Sequence, residues 1–113
     1  MAFQLDLPKF EAANAQVLGI SVDFKDANKA WAEKLGLTYP LLSDFRRQMS
    51  RDYKVIFDDP AMAGDPKKIP VYLRSKRSWF VIDKQGVIRY TKIAHDRNFN
   101  VNDELLQVLQ DLT

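Results

Sequence analysis

The chain contains no cysteine. That excludes disulfides, thiolate metal sites and any thiol nucleophile supplied by this sequence itself. Histidine is almost absent as well, with His95 alone, so a histidine-rich metal site is excluded. Neither a metal nor a cofactor is expected. No apolar run approaches the ~20 residues that a membrane-spanning helix requires. The opening MAFQLDLPKF has no basic stretch leading into an apolar one, which argues against a secretory signal and makes the cytoplasm the default location. Repeats, low-complexity tracts and linkers are also missing.

What is present fits one globular domain over residues 1–113, with 46% hydrophobic and 28% charged residues. The net charge is +2, a weak bias. Lys67, Lys68, Arg74, Lys76 and Arg77 form a local basic cluster flanked by Tyr72 and Trp79. A nucleic-acid surface needs more basic area with more interleaved aromatics, so a solvated loop leading into a strand is the preferred reading.

Residues 7–14 are predicted helical, with Asp6 as cap and Pro8 in the first turn, where its missing N–H costs nothing. Phe3, Leu7 and Phe10 keep helical spacing if the helix begins earlier. AFQLDL also alternates like a strand, but residues 8–15 are too few for a crossover to a parallel neighbour at 16–22. The helix is therefore preferred. The apolar run 16–22 predicts a strand buried on both faces. Asp23 is expected to cap a helix ending at Gly36, with Ala27, Ala30, Trp31 and Leu35 as its buried stripe. A short extended piece follows at Tyr39–Leu42. Ser43 then caps a helix on which Phe45, Met49 and Tyr53 share a face.

Four of the five prolines fall between Pro40 and Pro70, which predicts an irregular stretch over 56–76. Ser78–Ile82 and Val87–Ile93 flank an Asp83–Gly86 turn and predict an antiparallel hairpin. Asn102 is expected to cap a last helix with Leu105, Val108, Leu109 and Leu112 on its apolar face. Trp31, Phe45 and Tyr53 are expected in the core, with Met49 as packing filler.

The segments VLGISVD (17–23), YPLLSD (39–44) and RSWFVIDKQGVIRY (77–90) occur in the order and spacing of the peroxiredoxins. The chain resembles that family from about Ala2 to Leu112, in its alkyl hydroperoxide reductase / thiol-specific antioxidant and bacterioferritin-comigratory branch. The resemblance implies an incomplete thioredoxin-like α/β fold: a mixed sheet of about three to four strands flanked by helices. It also implies an antioxidant thiol peroxidase whose nucleophilic cysteine lies in a PxxxTxxC loop. Residues 2–10 resemble the helix after that loop, so the chain reads as lacking the segment that carries the cysteine. Arg77 matches the family arginine that faces the cysteine and the peroxide. No residue of this sequence is assigned as the catalytic nucleophile.

The resemblance further implies a strand between 16–22 and 78–82 that this sequence does not supply. Either those two strands close on one another, or a second chain completes the sheet, which predicts a homodimer or larger assembly. Three functions follow. One is a peroxiredoxin-family protein inactive in peroxide reduction on its own. Another is a non-catalytic interaction module, or the C-terminal part of a split peroxidase completed by a partner chain. The third is a basic nucleic-acid surface over 67–79. His95 beside Asp96 reads as a solvated loop histidine, and Asp58, Asp59 and Asp65 read as turn residues.

Overall fold

The computed structural model describes residues 2–94 and 101–112. The elements in order are α1 (Ala2–Ala12), β1 (Gly19–Ser21), α2 (Lys25–Leu35), β2 (Leu41–Ser43) and α3 (Gln48–Asp52), followed by two 3-10 turns at Pro60–Gly64 and Ile69–Val71. The chain then forms β3 (Ser78–Ile82), β4 (Ile88–Ile93) and α4 (Asn102–Asp111). No helix among the described residues is long and apolar enough to cross a membrane.

The core is built from sequence-distant pieces. Phe10 of α1, Val81 of β3, and Val101 and Leu105 around the start of α4 form a buried cluster, with Phe3, Val17, Trp79, Tyr90 and Leu109 packed against it. Phe10 retains only 3% of its surface. Phe3 and Phe10 meet at 5.4 Å between ring centres, so the helical spacing read over Phe3, Leu7 and Phe10 does place them on the buried face. The helix starts at Ala2, which puts Asp6 inside it rather than at its cap. Asp6 instead accepts a hydrogen bond from Asn102 Nδ2 at 3.0 Å, tying α1 to α4. Pro8 lies in the body of α1 and leaves the Gln4 carbonyl without its usual donor. The Gln4 side chain fastens this turn to Thr38 through bonds of 2.8 and 3.0 Å.

The strands form two separate two-stranded sheets, not one mixed sheet: β1 pairs in parallel with β2, and β3 pairs antiparallel with β4. Of the two alternatives, direct closure of 16–22 on 78–82 does not occur. β1 covers only Gly19–Ser21, and Leu18 and Ile20 are exposed rather than buried on both faces. The physical reason is plain: among the described residues no strand pairs with the edge of β1 opposite β2, so nothing extends or covers it.

Several local expectations give way to neighbouring groups that do the same job better. Phe24, not Asp23, stands at the start of α2, with no side-chain cap. Asp23 closes the β1–α2 turn: its carboxylate accepts from the Ser21 hydroxyl at 2.9 Å and its carbonyl from the Ser43 hydroxyl at 2.6 Å. Ser43 is thereby used up, and Asp44 caps α3 by accepting from the Met49 and Ser50 N–H groups at 3.1 and 2.8 Å. Val101 stands at the N-cap of α4, and Asn102 is its first residue. On α2 the buried residue is Asn28, whose Nδ2 donates to the Leu42 carbonyl at 3.1 Å. Ala27, Ala30 and Trp31 face solvent, because α2 packs on the small β1–β2 sheet alone. Phe45 and Met49 are exposed too, while half-buried Tyr53 meets Phe80 edge-on at 4.9 Å.

Gly36 takes the left-handed conformation at φ 67° and ends α2 as the sequence predicts. The hairpin forms with its turn at Gly86, φ 81°. The stretch 56–76 is largely irregular, pinned by an Ile56–Ser75 bridge. Leu105, Val108 and Leu109 face the core, and Leu112 is exposed at the helix end.

The Phe10 cluster joins both ends of the chain, so Phe10→Ala should cost about 3–5 kcal/mol of unfolding free energy in urea titrations. A loss below about 1 kcal/mol would show that the cluster does not hold the fold.

Candidate functional site

Arg77 lies at the foot of β3. Its carbonyl accepts from the Ala94 N–H at 2.9 Å, extending the hairpin ladder by one pair. Its side chain is exposed, with the guanidinium 5.5 Å from the centre of the Trp79 ring. Among the described residues Arg77 makes no ion pair with a carboxylate, so its charge is available to an anion.

The rest of the basic cluster divides. Arg74 reaches Asp23 at 3.9 Å, and its Nε donates to the Pro70 carbonyl at 3.1 Å. Lys76 sits 5.7 Å from the centre of the Phe57 ring. Lys67 and Lys68 are exposed in the irregular stretch. The cluster is therefore a loop whose basic side chains lean on different neighbours.

The loop is held by a buried polar group that sequence reasoning missed. Asp44 and Ser50 are buried, and the Ser50 hydroxyl donates to Asp44 Oδ2 at 2.8 Å and meets the Ser75 hydroxyl at 2.5 Å. Burial alone would raise the Asp44 pKa, but bonds from the Ser50 hydroxyl and from the Ser50 and Met49 N–H groups, with Arg47 nearby, hold it below the usual carboxylate range. Ser75 lies two residues before Arg77, so this network anchors the entry to β3. The available signal in the sequence was SD followed six residues later by serine, a pattern that also fits ordinary surface caps.

A second polar group lies on β4, whose Tyr90 and Lys92 pair with Val81 and Trp79. Burial, with Glu104 beside it, pushes Tyr90 up to about 12. Lys92 Nζ bridges to Glu104 at 3.1 Å and links β4 to α4.

The weaker candidates are placed as turn chemistry. Asp59 accepts from the Ala61 N–H at 3.0 Å and Asp65 from the Lys67 N–H at 2.9 Å, each closing its own turn, and Asp58 is exposed. Among the described residues no three His, Cys, Asp or Glu side chains converge as a metal site would need. His95 and Asp96 lie outside the described residues. An open hollow between the end of α1 and α4, about 440 Å³, is lined by Ala12, Ala13, Asn14, Leu106, Leu109 and Gln110 and carries no charged side chain.

A parallel β–α–β unit followed by an antiparallel hairpin and a closing helix is the ordering of a thioredoxin-like α/β protein. The structure superposes on reduced 2-Cys peroxiredoxin from Plasmodium vivax with a TM-score of 0.79 at 27% identity, covering 98% of this chain and 54% of that one. It matches the AhpC of Mycobacterium tuberculosis at 0.76 and 26% identity, over 98% and 57% of the two chains. The AhpC/TSA family model matches residues 1–91, so the chain belongs to the AhpC/TSA family. Among curated relatives, a chloroplastic 2-cysteine peroxiredoxin of Chattonella marina var. antiqua is 32% identical over 96% of this chain and 53% of its own length. A peroxiredoxin described as putative from Synechocystis is 30% identical over 97% and 52%. The chain thus spans about half the length of the curated relatives it matches.

Asp44 provides a pH signature. Its folded pKa is lowered, so the stability it contributes is present above the ordinary aspartate pKa and disappears as pH falls through the folded value. Unfolding free energy should decline across that acid window. Asp44→Asn should flatten the decline and cost about 1–3 kcal/mol at neutral pH; an unchanged acid profile would contradict the assignment. Arg77→Ala, by contrast, should cost no more than about 1 kcal/mol by the same measurement.

Proposed function

We propose that this chain is a peroxiredoxin-type scaffold that does not reduce peroxides with its own residues. The observation that carries this reading is the absence of cysteine from a chain that matches the family over residues 1–91. Reduction of a peroxide O–O bond by this family's chemistry needs a thiolate nucleophile, and none of the remaining side chains substitutes for one. Arg77 serves in this proposal as the counterpart of the arginine that faces the peroxide. Its exposure, and its lack of an ion pair among the described residues, support a role in holding an anionic or polar ligand. The cytoplasmic setting expected from the sequence belongs to the same proposal.

A second element of the reading is association, either with another copy of the chain or with a complementing peroxiredoxin segment. It is supported by the edges of β1 and β3 that no other strand pairs among the described residues, since such edges pair readily with another strand.

Hydrogen peroxide consumption in the presence of dithiothreitol should proceed at the rate of buffer alone with the purified chain. Turnover above that rate, abolished by Arg77→Ala, would overturn the inactivity reading.

A further inference from the structure

We propose that Trp79 is a positioning residue for Arg77: its indole ring orders the guanidinium so that the guanidinium can take an oxyanion. The inference rests on the reading of Arg77 as a ligand-holding residue and goes beyond it by naming what fixes that side chain.

A lone exposed arginine is a poor binding group. Its side chain samples many rotamers in water, and immobilising it on a ligand consumes part of the affinity. Strand geometry removes much of that cost at Arg77. The residue stands two before Trp79, and its carbonyl bond from the Ala94 N–H at 2.9 Å continues the ladder of β3 and β4. Residues two apart in an extended ladder direct their side chains to one face. The guanidinium accordingly lies over the Trp79 ring, 5.5 Å from its centre, within the range of a cation–π contact. Lys76, the residue before Arg77, turns instead to the Phe57 ring.

The ring itself is fixed. Trp79 is half-buried and packs against the cluster of Phe10, Val81, Val101 and Leu105. The platform beneath Arg77 is therefore part of the core, not a second loose surface side chain. Across the hairpin Trp79 pairs with Lys92, whose Nζ lies 3.1 Å from Glu104. The carboxylate that reaches β4 is thus engaged, and among the described residues no carboxylate forms an ion pair with Arg77.

A neutral ring, not an anion, thus orders this guanidinium. A ring contact draws on the guanidinium face and leaves the N–H edge open, whereas a carboxylate would occupy the edge donors. That open edge suits a small oxyanion bound through two parallel N–H groups.

The test is NMR of the arginine Nε–H groups in the full chain, with inorganic sulfate as probe and circular dichroism to verify folding of each variant. Exposed Arg46 is the internal reference. In the wild type the Arg77 Nε–H should be more ordered than that of Arg46, and sulfate should shift its resonance. Trp79→Leu keeps an apolar side chain in the cluster but removes the ring. It should mobilise the Arg77 Nε–H and weaken sulfate binding about two- to fivefold. Trp79→Phe retains a ring and should keep Arg77 more ordered than Trp79→Leu does. A wild-type Arg77 as mobile as Arg46 overturns the role of Trp79, whether or not any variant folds. So does Arg77-dependent sulfate binding that Trp79→Leu leaves unchanged. Sulfate that leaves the wild-type Arg77 resonance unmoved overturns the ligand reading of Arg77 and this proposal with it.

Discussion

The packing of Phe10 against Val81, Val101 and Leu105 is the contact on which the rest of this structure depends. It gathers the first helix, the hairpin and the last helix around one small apolar centre, although these pieces are far apart in sequence. The Asp6–Asn102 hydrogen bond closes the same junction from its polar side. The β1–α2–β2 side is attached through Val17 at the core, the Gln4–Thr38 clasp, the Phe3–Tyr39 ring contact and the Asp23–Arg74 pair. This division explains why α2 and the residues after β2 keep so much apolar surface in solvent.

The polar centre at Asp44 complements the apolar one. A carboxylate that receives two backbone N–H groups and the Ser50 hydroxyl fixes the start of α3, and through Ser75 it fixes the chain as it enters β3. Arg77 follows directly. The network therefore fixes the segment that leads into Arg77 with hydroxyl and carboxylate groups.

The hairpin, the Gly36 helix stop and the face of Phe3, Leu7 and Phe10 were legible in the sequence because each rests on local rules: strand alternation, glycine at positive φ and helical spacing. The family was legible because several unlinked motifs fell in order. Burial of Trp31, Phe45 and Met49 was not legible, since apolar spacing marks a face but cannot say whether anything covers it. The caps at Asp23 and Ser43 were misplaced for a related reason. Serine and aspartate crowd the sequence at 21–23 and 43–44, and which oxygen meets which N–H is decided by the tertiary approach of β1 to β2. The separation into two sheets depends on long-range pairing that no window of residues reveals.

The account makes one central structural claim: among the described residues β1 and β3 each pair on one side only, within a frame held by the Phe10 cluster. In the parallel β1–β2 ladder Gly19 N–H donates to the Pro40 carbonyl and Ser21 accepts from Asp44 N–H, so the Ile20 amide faces the opposite edge. In the hairpin the Arg77–Ala94 bond sets the phase that turns the Phe80 amide outward and the Val81 amide toward β4. Residue-resolved amide hydrogen exchange on the isolated chain reads this directly. The account predicts fast exchange at Ile20 and Phe80 beside protected Ser21 and Val81, and equal protection of all four would contradict it.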